Sequence, residues 1–290
     1  MDKKQVFLIV ACILLICGLF FAGNRKSNSI EEDSLASSET TEKASNKIKI
    51  NFEQLATNLK KKITLEQKDS ITNLEAKLRI HKDSSLLNRA SIYKELGESW
   101  EKAQYIELAS HYFQQAAVLD SVESRWEEAA EKSAFAFRVS GDSSMRAYLV
   151  ATTVDAYQKT IAFDTTNLDY QIELAATYID GYGNQGGQVM KGIFMLRDIT
   201  LIDSTNLKAN LLLGQMAIVS AQYAKAVIRL QRVITKDPSN PQAYYYLAEA
   251  YIGLGQKEKA IDAYKECKKW VKNPTFADQL DKYIEKLSNS

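Results

Sequence analysis

The hydrophobic residues in the second half of the chain recur at the spacing of an amphipathic helix, and this pattern then repeats. Residues 213–240 overlay on residues 247–274 when the sequence is shifted by thirty-four positions. In each copy, small residues such as Gly214 and Ala248 occupy places where two helices would cross closely, with larger apolar residues at helical spacing on either side. Each copy predicts a pair of helices that cannot bury its apolar face alone, so the pairs must stack into an all-α solenoid.

The second copy carries the pattern most completely. Its matched positions are Leu247, Ala248, Tyr251, Gly255, Ala260, Tyr264 and Cys267, and the copy before it ends in Asp237 and Pro238. This arrangement resembles the tetratricopeptide repeat family. The resemblance implies an α-α superhelix in which the first helix of each pair lines a concave, protein-binding surface, and the guest that we expect there is an extended apolar peptide or an amphipathic helix.

Short polar segments separate the predicted helix pairs. They lie at residues 120–121, 164–167, 203–206 and 237–240, and each begins with Asp. Such side chains bond to nearby backbone groups, ending one helix and capping the next. The sequence therefore predicts about five units within 84–272: 84–121, 122–164, 168–204, 207–238 and 241–272. The first three are longer, which predicts insertions between or within their helices and a long link inside the first unit.

Both ends of the predicted solenoid carry helical patterns that would shield its terminal apolar surfaces. Residues 50–83 contain two helical stretches, which we interpret as N-terminal capping helices. Residues 273–290 form an amphipathic pattern in which Phe276, Leu280 and Ile284 share one face. This last segment is interpreted as a C-terminal capping helix.

The N-terminal segment suggests attachment to a membrane. Residues 6–22 form an uninterrupted apolar run behind Lys3 and Lys4, and we interpret residues 1–23 as an uncleaved transmembrane anchor. A cleavable signal peptide has the same layout, but Phe20 and Phe21 stand where a cleavage site wants small residues. A lipid anchor at Cys12 is a further alternative. Residues 24–49 are polar and read as a flexible linker.

Composition and charge remove several function classes. Lys and Arg number 37 against 36 for Asp and Glu, so the chain offers no electrostatic case for binding nucleic acid. With two histidines, three cysteines and none of the familiar nucleophile or phosphate-loop motifs, the sequence predicts no metal site, no cofactor and no enzymatic activity.

One glycine-rich string matches a dinucleotide-binding pattern. Gly181, Gly183 and Gly186 have the spacing of that turn, which functions only between a strand and a helix. Here a helical pattern precedes the string, so we interpret residues 181–187 as an inserted loop that lets the chain turn sharply or that contacts a partner. A ligand-binding protein that uses this loop is an alternative.

The family resemblance also assigns groove-facing positions. They are Asp169, Ile172, Ala176 and Ile179 in the third unit, Lys208, Leu211, Gln215, Ile218 and Val219 in the fourth, and Gln242, Tyr245, Glu249 and Ile252 in the fifth. The apolar members would form a strip of the extent that marks a binding surface. Alternatively, the groove is filled by the protein itself and these residues are core. The Lys and Asn that hold a carboxylate in some family members are absent from the corresponding positions.

These observations predict a membrane-tethered scaffold or adaptor that binds other proteins in the bacterial cell envelope. Its repeat domain is expected in the periplasm, with a cytoplasmic domain or a lipid anchor as alternatives. A constitutive structural subunit of an envelope complex for assembly, secretion or translocation is the alternative function. No residue in the sequence identifies the partner.

Overall fold

The computed structural model describes residues 50–80, 85–183 and 185–289, and within these ranges every regular element is a helix. The predicted all-α fold is confirmed. The helices belong to the compact unit Asn51–Ser290. Their bounds are α1 Phe52–Leu59, α2 Leu65–Ile80, α3 Leu86–Lys102, α4 Ile106–Leu119, α5 Glu123–Val139, α6 Ser143–Phe163, α7 Leu168–Tyr182, α8 Gly186–Ile202, α9 Leu207–Val219, α10 Tyr223–Lys236, α11 Pro241–Gly253, α12 Lys257–Trp270 and α13 Pro274–Ser288.

The predicted anchor at residues 6–22, Cys12 and the predicted linker at 24–49 lie outside the described residues. Among the helices that the structure does describe, none combines the length and the apolar character needed to cross a bilayer.

Helices α3 to α12 pack as five successive helix–turn–helix pairs. The two helices of a pair contact each other most extensively, and the second helix of each pair then packs on the first helix of the following pair. First helices of neighbouring pairs also touch, as α7 does with α9 and α9 with α11. This is the nearest-neighbour packing of a solenoid, in which one pair completes the core of the next.

The polar segments between pairs share one hydrogen-bonding device. Asp203 Oδ1 accepts from the backbone N–H of Thr205 at 2.9 Å and from its hydroxyl at 2.8 Å, and Asp164 and Asp237 make the same two bonds with the residue two positions on. An Asn follows each of these Asp-centred turns and caps the next helix. These caps are Asn167, Asn206 and Asn240.

The turn inside the first pair is short, so the predicted long link there is wrong. Helix α3 continues to Lys102, and residues 103–105 alone connect it to α4. Gln104 adopts φ 67°, as Ala221 and Gly255 do in the turns of the last two pairs at 55° and 69°. In the first turn the N–H of Tyr105 bonds to the carbonyl of Trp100, which closes a Schellman motif without a glycine.

The predicted inserted loop at 181–187 is also wrong. Gly181 lies inside α7, Gly186 and Gly187 open α8, and residues 183–185 are the whole connection. A Cβ on Gly181 would come within 2.6 Å of Val150 on α6, so the missing side chain allows two helices to approach closely. Gly183 turns the chain with φ 49°.

Helices at both ends cover the terminal pairs. Helix α2 packs on α3 through fully buried Ile71, and α1 packs on α4, where Phe52 stacks on His111 with ring centroids 3.9 Å apart. Lys60 and Glu75 join α1 to α2 across 2.7 Å. At the other end, α13 buries Leu280 against α12.

Candidate protein-binding surface

The predicted apolar strip is buried where it begins. Ile172 and Ile179 on α7 are 1% and 7% exposed, and both belong to a core cluster with Leu196 and Ile199 of α8. In the third pair these positions are therefore core, as the alternative interpretation of the strip expected. These two residues stabilise the fold and are not available to a partner.

The strip opens along α9 and α11. Leu211, Ile218 and Tyr245 are half-buried and pack against the core of the last two pairs, while Ile252 is 40% exposed. Val219, at the end of α9, is 76% exposed. We call Leu211, Ile218, Tyr245 and Ile252 the open strip.

The polar members of the predicted surface are partly engaged by the protein itself. Lys208 Nζ lies 3.0 Å from Asp169 Oδ1 and 3.7 Å from Glu173 Oε1, a bridge from α9 to α7. The hydrogen bond to Asp169 raises the pKa of Lys208. Gln215 is half-buried and Gln242 is exposed, so their amides border the open strip.

Glu249 is held by an aromatic hydroxyl. Its carboxylate accepts a hydrogen bond from Tyr264, a buried side chain of α12. Burial raises the pKa of Tyr264, and the bond to Glu249 raises it further. This pair fixes the ring of Tyr264 under Tyr245, whose centroid lies 5.9 Å away.

An aromatic cavity of about 1020 Å³ continues the open strip at the C-terminal end. It lies between the start of α11 and the link from α12 to α13. Tyr245 forms its floor, with ring centroids 5.5 Å from Tyr246 and 5.7 Å from Phe276. The lining residues are Ser239, Asn240, Pro241, Gln242, Tyr245, Tyr246, Trp270, Val271, Lys272, Asn273 and Phe276.

Two features of this cavity were not assigned from the sequence. Trp270 is 46% exposed at the end of α12, and Lys272 follows it in the link to α13. The groove positions of the family all lie on first helices, so that rule omits residues at the end of a second helix. The available signal in the sequence was a Trp shortly before the polar residues Lys272 and Asn273.

Titratable side chains also line a cavity near the N-terminal end of the described helices. This smaller cavity of about 530 Å³ lies between α1, α2 and the first pair, lined by Lys60, Glu75, His111 and Tyr112 among others. Burial lowers the pKa of His111 to about 4 and raises that of Tyr112 to about 12. Across residues 50–80, 85–183 and 185–289, no group of three or more His, Cys, Asp or Glu is placed to hold a metal ion.

The sequence from the turn before α10 to the start of α13 matches a known family. Residues 220–275 fit the family model described as tetratricopeptide repeat. This stretch of the chain carries a tetratricopeptide repeat. The matched stretch runs from the turn before α10 into the start of α13, and it contains every lining residue of the aromatic cavity except Phe276.

Crystal structures of tetratricopeptide proteins have a similar fold. PilW, described as a widely conserved type IV pilus biogenesis factor, is 18% identical, with a TM-score of 0.52 over 69% of this chain and 86% of PilW. The thermophilic protein TTC0263 of Thermus thermophilus is 14% identical, with a TM-score of 0.48 over 69% of this chain and all of that chain. YrrB, a tetratricopeptide protein described as having an unusual peptide-binding site, is 14% identical, with a TM-score of 0.44 over 72% and 97%. No curated protein sequence matches this chain.

Proposed function

We propose that this chain is a scaffold or adaptor that binds other proteins through the open strip on α9 and α11 and the aromatic cavity beside it. The observation that carries the proposal is the exposure of apolar side chains on first helices of the tetratricopeptide region. Tyr245 belongs to both surfaces, so a bound segment can contact them together. Half-exposed aromatic and aliphatic groups of this kind supply most of the free energy of protein association.

Site-specific crosslinking tests this function. A photoreactive residue replaces Ile252 in the open strip or, as a matched control, Phe194, which is 49% exposed on the second helix of the third pair. We expect protein adducts at position 252 that exceed those at position 194 in the cells that make this protein. Equal adduct yields at the two positions, or no adducts at position 252, would contradict the proposal.

The same crosslinks separate an adaptor from a permanent subunit. An adaptor exchanges partners, so position 252 should give several adducts whose proportions change with growth conditions. A constitutive structural subunit of an envelope complex should give one adduct in constant, stoichiometric yield.

We further propose that residues 6–22 anchor the protein in a bacterial inner membrane and that the repeat region lies in the periplasm. A helix of these seventeen apolar residues would be about 26 Å long, close to the thickness of the hydrocarbon core. A phosphatase fused after Ser290 should be active, since that reporter needs a non-cytoplasmic location. An inactive fusion would place the repeats in the cytoplasm, and release of a Cys12→Ser variant from membranes would favour the lipid anchor.

A further inference from the structure

The aromatic cavity has the composition of a site for one large apolar side chain. Tyr245, Tyr246, Trp270 and Phe276 present rings to it, and Val271 adds an aliphatic wall. Trp270 is nearly half exposed, and the other three rings are only partly buried. These ring faces are partly open to solvent. Covering them with an inserted aromatic or aliphatic group lowers the free energy of the complex.

The residues that line the cavity carry charge of a single sign. They include one charged residue, Lys272, and no Asp or Glu. Burial raises the pKa of Tyr245 and Tyr246, and the nearby carboxylates of Glu249 and Asp180, which lie outside this lining, raise it further. The neighbouring Lys268 is paired with Asp281 at 2.6 Å and Lys269 with Glu266 at 2.5 Å, whereas no ion pair is formed by Lys272 within the part of the chain that the structure describes. Lys272 is therefore the cation that remains available to a bound carboxylate.

A second cavity on the same solenoid has the opposite character. It measures about 670 Å³, lies near the start of α5, and is lined by the carboxylates of Asp120, Glu127, Glu128 and Glu131 with the cations Lys94 and Arg125. Apart from Val122 it offers no apolar wall. The lining of this second cavity has a net negative charge and that of the aromatic cavity a positive one, so electrostatics favours an acidic segment at the aromatic cavity.

We propose that the aromatic cavity binds an acidic segment of a partner protein, which inserts one aromatic or large aliphatic side chain among Tyr245, Trp270 and Phe276. A carboxylate beside the inserted side chain pairs with Lys272. This proposal rests on the protein-binding function above, and it adds the chemistry of the partner. The combination of ring contact and charge favours acidic over neutral or basic segments.

Binding of defined peptides to the full chain tests this inference. The probe is a short, rhodamine-labelled peptide of Gly and Ser with one Phe between two Glu residues, measured by fluorescence anisotropy. Matched probes replace Phe with Ala, both Glu with Gln, or both Glu with Lys. We expect the Glu–Phe–Glu probe to bind best, with the Ala probe about tenfold weaker. Added salt should weaken the Glu–Phe–Glu probe more than the Gln probe.

Variants of the protein locate the binding. Trp270→Ala should weaken the Glu–Phe–Glu probe about tenfold, because it removes the exposed ring. Lys272→Gln should weaken it about threefold to fivefold, the range of an exposed ion pair, and Lys272→Glu should reverse the preference toward the Lys–Phe–Lys probe. The controls are Phe194→Ala and Lys265→Gln, which remove an exposed ring and an exposed lysine outside the cavity.

The outcomes separate this inference from the proposed function. If all probes bind equally, or if none binds while crosslinks at position 252 still form, the acidic partner is wrong and the scaffold function stands. If the wild-type chain self-associates and Trp270→Ala abolishes this, the occupant is a second copy and the inference is also overturned. If no crosslinks form at position 252, the proposed scaffold function itself is wrong. Because Trp270 and Lys272 are exposed, thermal unfolding should confirm that these variants fold.

Discussion

The first three helix pairs, α3 to α8, differ from the last two, α9 to α12, in length and in how much of each helix is covered. Helices α3, α5, α6 and α8 have 17, 17, 21 and 17 residues, whereas α9 to α12 have 13 or 14. In α7 the structure buries seven residues, including six in succession from Leu174 to Ile179, against four in α9 and four in α11. A helix buried at successive positions is covered on more than one face. The first helix of the third pair is therefore covered on a surface that the last two pairs leave open.

Buried hydroxyl groups mark the same difference. Ser133, Thr153 and Thr160 are completely buried in α5 and α6, and each hydroxyl donates to the carbonyl four residues earlier at 2.7 to 3.0 Å. In α9 to α12 the buried polar residue is Asn210. Small hydroxyls satisfied by their own helix can lie in a close crossing, so polar residues in the early pairs are part of the core. Buried hydroxyl side chains are thus confined mainly to the first region, whereas the surface proposed for recognition lies in the second.

The largest expected effect tests whether the two regions are energetically distinct. Leu196 in α8 and Leu230 in α10 are both fully buried, and Leu→Ala at either should lower the free energy of unfolding by about 3 kcal/mol. Because each pair contacts only its neighbours, hydrogen exchange should accelerate in α9 to α12 for Leu230→Ala but leave α3 and α4 unchanged. Leu201→Ala, at an 84% exposed position, is the control. Uniform acceleration would mean that the regions unfold as one block.

Lowering the pH should reduce the stability of the first region selectively. Burial lowers the pKa of His111 from 6.5 to about 4, so the folded chain binds fewer protons than the unfolded chain between these values. Stability should therefore fall as the pH is lowered from 6.5 to 4, by up to about 3 kcal/mol. His111→Phe keeps a ring against Phe52 and should remove this loss, measured by denaturant unfolding with buried Trp100 as reporter. If the variant loses stability as steeply as the wild-type chain when the pH is lowered, carboxylates and not His111 cause the loss.

The last two pairs contain no histidine and should lack this contribution. Exposed Trp270 reports on them, while Trp100 and Trp126, both buried, report on the first two pairs. Variants that keep only one of these three Trp residues should therefore report the pH dependence of each region separately.

The smallest effect tests a feature that the regions share. Gln104, Ala221 and Gly255 all occupy the left-handed conformation of a Schellman turn, where a Cβ is unfavourable. Gln104→Gly should stabilise the first pair by about 1 kcal/mol, and Gly255→Ala should destabilise the last pair by about the same amount. Gly187→Ala is the control, because a Cβ there meets no atom within 4 Å. Thermal unfolding measures all three, and equal shifts for Gly255 and Gly187 would show that the turn carries no strain.

The repeats were predictable from the sequence because their signals are local. The thirty-four-residue shift, the small residues at crossings and the Asp and Asn caps each depend on a few neighbouring residues. The turn at Gln104 escaped prediction because no glycine marks it, whereas Gly255 marks the equivalent turn of the last pair. The glycine string at 181–187 misled for the opposite reason, since Gly181 serves a helix contact with Val150 and not a loop.

The sequence alone determined that this protein is a stack of helix pairs and where most of them begin and end. Tertiary structure alone decided that Ile172 and Ile179 are core while Tyr245 and Ile252 remain accessible, and that Trp270 and Lys272 join them at one cavity. The physical reason is range. Helix period and capping depend on residues a few positions apart, whereas exposure depends on how far neighbouring helices extend and on which side chains from distant segments meet.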